Sequence, residues 1–143
     1  MDVIIAGLIA WIVMHTGFAS PDPPRVVLVS ESTMLEKAFH SRKPRALRLR
    51  GLYVHDHSTI YLPETWNASN LRDVSDLLHE LVHHVQRVNK VSVPCKAALE
   101  RLAYDLQLRW LREQGVEDPY KIIDTNDLAI FLLSSCNLNR PDW

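Results

Sequence analysis

Neither sign of charge is in excess in this sequence: 16 Lys and Arg stand against 17 Asp and Glu, a formal net charge of -1. That balance excludes the broad electrostatic footprint of a general nucleic-acid binder. Glycine is scarce, with 4 residues beside 8 prolines, and neither a low-complexity tract nor an internal repeat occurs, which argues against a fibrous or disordered chain. No apolar run exceeds twelve residues, which is short for a membrane span. The two cysteines, Cys95 and Cys136, lack the CxxC spacing of a zinc knuckle or a redox pair, so cysteine chemistry is not the function. What is present is 143 residues, 47% hydrophobic and 23% charged, enough for one domain with its own core. A bound metal in such a chain serves function rather than folding.

The twelve-residue apolar run, residues 3–14, is followed by Gly17, Phe18, Ala19 and Ser20 and then by the Pro-rich joint 21–24. Its length suits the apolar part of a secretory signal, with cleavage near Ala19 or Ser20, although Asp2 stands where a basic start is usual. Residues 1–20 are therefore expected to be an export signal. An uncleaved N-terminal anchor and a buried core helix are the alternatives, and residues 21–143 form one domain. An anchor would be the only contact with a membrane. An even cysteine count in an exported chain reads as one disulfide; two buried thiols are the other reading.

Residues 25–30 read as a short buried strand and 33–40 as a short helix. Residues 46–50 alternate apolar and basic side chains with period two, a half-exposed strand that 51–54 extend. The basic cluster Arg42, Lys43, Arg45, Arg48 and Arg50 then forms a solvated strand face. A turn at 55–58 leads to a returning strand at 59–62, stopped by Pro63. Asn70 caps a long helix whose apolar stripe runs through Leu71, Val74, Leu77, Leu78, Leu81, Val82, Val85 and Val88. A second helix spans 95–114, stopped by Gly115, and a last one 126–135.

The first long helix carries His79-Glu80-Leu81-Val82-His83, the pattern H-E-x-x-H. Positions i and i+4 lie only about 40° apart on a helix, so two imidazoles can take adjacent corners around one Zn²⁺. Glu80, about 100° round from His79, is placed beside a metal-bound water rather than on the metal. A chance match in a chain of this length has odds of about one in two hundred, and here the motif also falls on the edge of a buried stripe. The longer H-E-x-x-H-x-x-G-x-x-H pattern is absent, because Gln86 and Asn89 occupy its last two fixed positions. The third ligand must come from elsewhere. Glu100 on the next helix, with sixteen residues between it and His83, is the leading candidate, and Asp105 is the runner-up.

His79, Glu80 and His83 with a downstream helical Glu100 resemble the gluzincin zinc metallopeptidases, and most of all their small single-domain members, the minigluzincins. The resemblance spans roughly residues 46–110. It implies an α+β fold, a small antiparallel or mixed sheet whose β-hairpin packs on the H-E-x-x-H helix, followed by the glutamate-bearing helix. It also implies a substrate-holding strand near 59–62. One departure is visible: many gluzincins place an Asp four residues after the ligand Glu, and Tyr104 stands there instead. The expected function is zinc-dependent hydrolysis of a peptide or protein substrate. His79, His83 and Glu100 hold the metal, Glu80 is the general base, and Tyr104 is the leading candidate to stabilise the oxyanion. His55, His57 and Tyr53 are further candidates from the hairpin, and His84 reads as structural support. The alternatives are a metal-binding protein without turnover and a membrane-tethered interaction domain.

Overall fold

A computed structural model describes residues 1–39 and 49–137 of the chain. Among these residues the architecture is α+β, with six helices and a mixed three-stranded sheet. Helix α1 (Asp2–Thr16) buries Ile5, Leu8, Ile9 and Ile12, one face at helical spacing, and ends on Gly17 in the left-handed region at φ 73°. This helix is part of the hydrophobic core and packs on the central helix described below. Among the described residues, no helix is long and apolar enough to cross a membrane.

Strand β1 (Arg25–Val29) leads to helix α2 (Glu31–Phe39), and β2 (Leu52–Val54) reaches β3 (Thr59–Pro63) through a turn of 3-10 helix at His55–His57. The sheet order is β1-β3-β2, with β1 parallel and β2 antiparallel to β3. The central strand is therefore β3, bonded on both edges from Thr59 to Tyr61, with Ile60 and Leu62 buried in the core. A strand bonded on both edges has no free backbone groups for a substrate. The outer strands among the described residues are β1 and β2, so Thr59–Tyr61 of the expected substrate-holding strand at 59–62 lie between paired neighbours.

Helix α3 (Leu71–Val88) is the axis of the fold. The Asn70 side chain accepts hydrogen bonds from the Arg72 and Asp73 amides, satisfying its N-terminus as expected. Leu77, Leu78, Leu81, Val82 and Val85 are buried along its length. It packs most extensively on α4 (Leu99–Glu113), where fully buried Ala103 allows close approach. A 3-10 turn at Lys96–Ala98 precedes α4, so the expected helix at 95–114 begins later as an α-helix. A single turn α5 (Pro119–Ile122), capped by Asp118, and α6 (Asp127–Ser134) are the last elements among the described residues. Cys95 and Cys136 form a disulfide that joins the start of α4 to the end of α6.

Two expectations change. The strand expected at 46–50 begins only at Leu52, and residues 46–48, with Arg42, Lys43, Arg45 and Arg48, lie outside the described residues. Arg50 is not on a solvated face. Its guanidinium bonds Asp73 at 2.6 Å and Asp76 at 3.0 Å, so it clamps the segment before β2 to α3.

Candidate metal centre

His79 and His83 stand one turn apart on α3 with Nε2 atoms 3.2 Å apart, and Glu100, in the first turn of α4, faces both. The glutamate oxygens lie 3.0 Å from His79 Nε2 and 3.4 Å from His83 Nε2. A tetrahedron with metal–ligand bonds of about 2.0–2.1 Å has edges of about 3.3 Å, so the three donors already stand near the spacing of a zinc site. Among the described residues, these are the only three His, Cys, Asp or Glu whose donor atoms gather within 4.8 Å. Asp105, the alternative ligand, instead pairs with Arg101 on the exposed side of α4.

Both imidazoles are held from behind by glutamines. His79 Nδ1 lies 3.0 Å from Gln107 Oε1, and the Gln107 amide nitrogen donates to Asp76 Oδ1 at 3.0 Å and to Ser75 Oγ at 3.1 Å. His83 Nδ1 lies 3.1 Å from Gln86 Oε1, and the Gln86 amide nitrogen donates to the Leu99 carbonyl at 3.0 Å. Gln107 lies three residues beyond Tyr104, on the same face of α4.

The electrostatics match a cation-binding centre. Burial opposes a charge on His79, but the hydrogen bond and charge of Glu100, aided by Glu80, outweigh it and raise the imidazole from 6.5 to about 9. Burial also opposes ionisation of Glu100, yet hydrogen bonds from both histidines hold its carboxyl well below the usual range. Glu80 moves the other way: burial, joined by the charge of Glu100, raises its pKa against the pull of His79 and His83.

Glu80 reaches from α3 to the backbone of β2. Its Oε2 accepts the Tyr53 amide at 2.9 Å. The strand comes so close that a Cβ at Gly51 would lie 2.8 Å from Glu80 Cγ, so only glycine fits there without moving the carboxylate. Tyr53 is fixed in turn by His84, which is buried. His84 Nε2 lies 2.8 Å from the Asp22 carbonyl, which can only accept, so this nitrogen carries the hydrogen and Nδ1 accepts from the Tyr53 hydroxyl at 3.1 Å.

The Tyr104 ring stands edge-on to His79, with centroids 4.7 Å apart, and lines a cleft of about 520 Å³ together with His79, Glu80, Gly51 and Gln107. His55 and His57 sit in the turn after β2, exposed, and neither lines this cleft. A smaller hollow of about 270 Å³, mainly apolar, lies between α1 and the segment 20–24 and shares no residue with it. Gln86, Gln107, Gly51 and Arg50 were not singled out as site residues from the sequence. Helical spacing held the signal for the glutamines, since Gln86 is three positions after His83 and Gln107 seven after Glu100. No curated protein and no solved structure matches the chain. One family does, across residues 1–142, and the chain belongs to it: the domain of unknown function DUF6647.

Proposed function

We propose that this protein is a zinc-dependent peptidase, with an active site formed by α3, α4 and the edge of β2. The observation that carries the reading is the convergence of His79, His83 and Glu100 at tetrahedral spacing, with Glu80 beside them and bonded to the Tyr53 amide of the outer strand β2. The donor set, two imidazoles and one carboxylate with room for a fourth position, suits a catalytic zinc. When bound there, zinc supplies a Lewis acid that polarises the substrate carbonyl and acidifies water.

The remaining chemistry belongs to the chain. The Tyr53 N–H faces Glu80, and strand alternation turns the Tyr53 carbonyl to the same side, where it can accept an amide of an extended substrate. Glu80 takes a proton from the attacking water and delivers it to the leaving amine nitrogen. Its pKa, raised by burial, makes it a stronger base than a solvated carboxylate. Tyr104, against His79 and open to the cleft, donates its hydroxyl to the oxyanion of the tetrahedral intermediate. The resemblance to minigluzincins supports this assignment. So does Glu80, which a centre built only to hold metal does not need.

The Cys95–Cys136 disulfide supports folding in an oxidising compartment. Of the three readings of residues 1–20, the buried face of α1 supports a core helix that stays with the domain, because cleavage near Ala19 would strip Ile5, Leu8, Ile9 and Ile12 from the core.

The test is hydrolysis of a peptide library by the zinc-loaded chain and by its Glu80→Gln variant. The parent is expected to cleave, and the variant to retain zinc while losing at least about 10²-fold in rate. A zinc-loaded parent that cleaves no peptide, or a variant as fast as the parent, contradicts the assignment.

A further inference from the structure

We infer that Gln107 and Gln86 are the positioning residues of the metal centre: their amide carbonyls hold His79 and His83 with Nδ1 as the hydrogen donor and Nε2 aimed at the metal. The inference rests on the zinc reading above and adds to it the means by which each ligand is oriented.

Obligate donors and acceptors fix the orientation of both side-chain amides. An Asp carboxylate and a backbone carbonyl can only accept, whereas a side-chain amide has one face that donates and one that accepts. Gln107 bonds Asp76 Oδ1, and this contact must be made by its NH₂ group, which turns Oε1 toward His79. The Ser75 hydroxyl fits the same orientation, since it donates to the Arg72 carbonyl at 2.8 Å and is left to accept from Gln107. Gln86 bonds the Leu99 carbonyl, again through its NH₂ group, which turns Oε1 toward His83. Each imidazole therefore faces an acceptor at Nδ1 and must carry hydrogen there. The free nitrogen of each ring is then Nε2, and these two atoms meet at Glu100. Both glutamines are 3% exposed, so solvent cannot take over their role.

The two supports differ from a carboxylate in charge as well as shape. A neutral carbonyl orients an imidazole without adding a full negative charge behind it. The nearest such charge, Asp76, stands one side chain further away and is bonded to Arg50. Gln86 also ties His83 to Leu99, the residue before Glu100, so one amide sets a ligand on α3 against the start of α4.

The test uses Gln107→Met and Gln86→Met, which keep the side-chain volume and remove the acceptor, with Ser75→Ala as control. Zinc affinity is measured by competition with a chromophoric chelator. The histidine Nδ1–H groups are followed by nitrogen–proton NMR on the metal-free and zinc-loaded chains. Each Gln→Met variant is expected to weaken zinc binding about 10–100-fold. Each is also expected to lose the slowly exchanging Nδ1–H signal of its own histidine only. Ser75→Ala, which removes a contact of Gln107 but not its carbonyl, should change affinity by less than about twofold. If the Gln→Met variants melt earlier yet bind zinc like the parent and keep both signals, the glutamines are only packing groups and the inference is overturned. If the parent takes up no zinc, the zinc reading fails. The signals in the metal-free chain then decide this inference alone, because their presence in the parent and selective loss in the variants supports it and their absence in the parent overturns it. Should Gln107→Met not fold, Gln86→Met decides by the same two readouts.

Discussion

Replacing Ile12 by Ala tests whether α1 is a working part of the core. Ile12 is 0% exposed, and with Ile5, Leu8 and Ile9 it forms the buried face of the helix. Removing three carbons from an enclosed site costs about 2–5 kcal/mol, the lost transfer energy plus that of the cavity. For a domain of this size, 1 kcal/mol moves Tm by roughly 4 °C, so a loss of about 3 kcal/mol lowers it by about 12 °C. The assay is thermal unfolding followed by circular dichroism, with chelator present throughout so that metal uptake cannot mask the change. Val3→Ala on the same helix is the control: Val3 is 87% exposed, and its truncation should cost less than about 0.5 kcal/mol. Taken together, the four buried side chains of α1 are worth roughly 6–12 kcal/mol at about 1.5–3 each, as much as the whole stability of an ordinary domain. An Ile12→Ala variant that melts within about 2 °C of the parent would refute the reasoning and return α1 to the status of a removable segment.

Other perturbations read other parts of the molecule. Gly51→Ala places a Cβ 2.8 Å from Glu80 Cγ where ordinary contact begins at 3.4 Å, so the side chain must give way by several tenths of an ångström. Peptidase kcat should fall by about 10²-fold with zinc stoichiometry unchanged, and a parental kcat would show that Glu80 tolerates the crowding. In the metal-free chain the folded-state pKa of His79 lies above its ordinary 6.5, so its contribution to stability is full below pH 6.5 and is lost as pH rises through about 9. Chemical denaturation of the chelated protein should show that decline, and a flat profile would contradict the raised imidazole. The Cys95–Cys136 bond closes a loop with a sequence separation of 41, for which chain entropy gives about 4 kcal/mol. The double Cys→Ser variant should lose roughly that much in urea unfolding, and a change below about 1 kcal/mol would mean that the packing of α6 on α4 suffices without the crosslink.

The parts of the fold that one helix dictates were legible in the sequence. Asn70, the stripe from Leu71 to Val88 and the H-E-x-x-H spacing define α3, because cap, period and motif agree over one continuous stretch. Glu100 could be singled out because the distance from His83 allows one turn and a return. Strand order was not legible. Residues 25–30 and 59–62 are both short apolar runs, and nothing in either sequence says that β3 takes the centre by pairing in parallel with β1. That pairing leaves β1 and β2 as the outer strands among the described residues, so which strand could offer an edge to a substrate was not legible either. The identity of α1 was ambiguous for a related reason: an apolar run of twelve suits export, anchoring or burial, and only its contact with α3 favours one of them. Gln86 stood out from the sequence only as a missing glycine, whereas the structure puts it behind His83. Helical spacing places the two glutamines on the ligand faces, but which polar residue supports a ligand depends also on which helix packs opposite.

The most direct test of the account is metal content per chain, measured by elemental analysis on the purified protein and on His79→Ala and Glu100→Ala. The account predicts about one zinc in the parent and its loss, or a large loss of affinity, in both variants. A correctly folded parent that holds no zinc and takes none up would contradict it. Zinc kept by Glu100→Ala but lost by His79→Ala would retain the centre and overturn Glu100 as its third ligand.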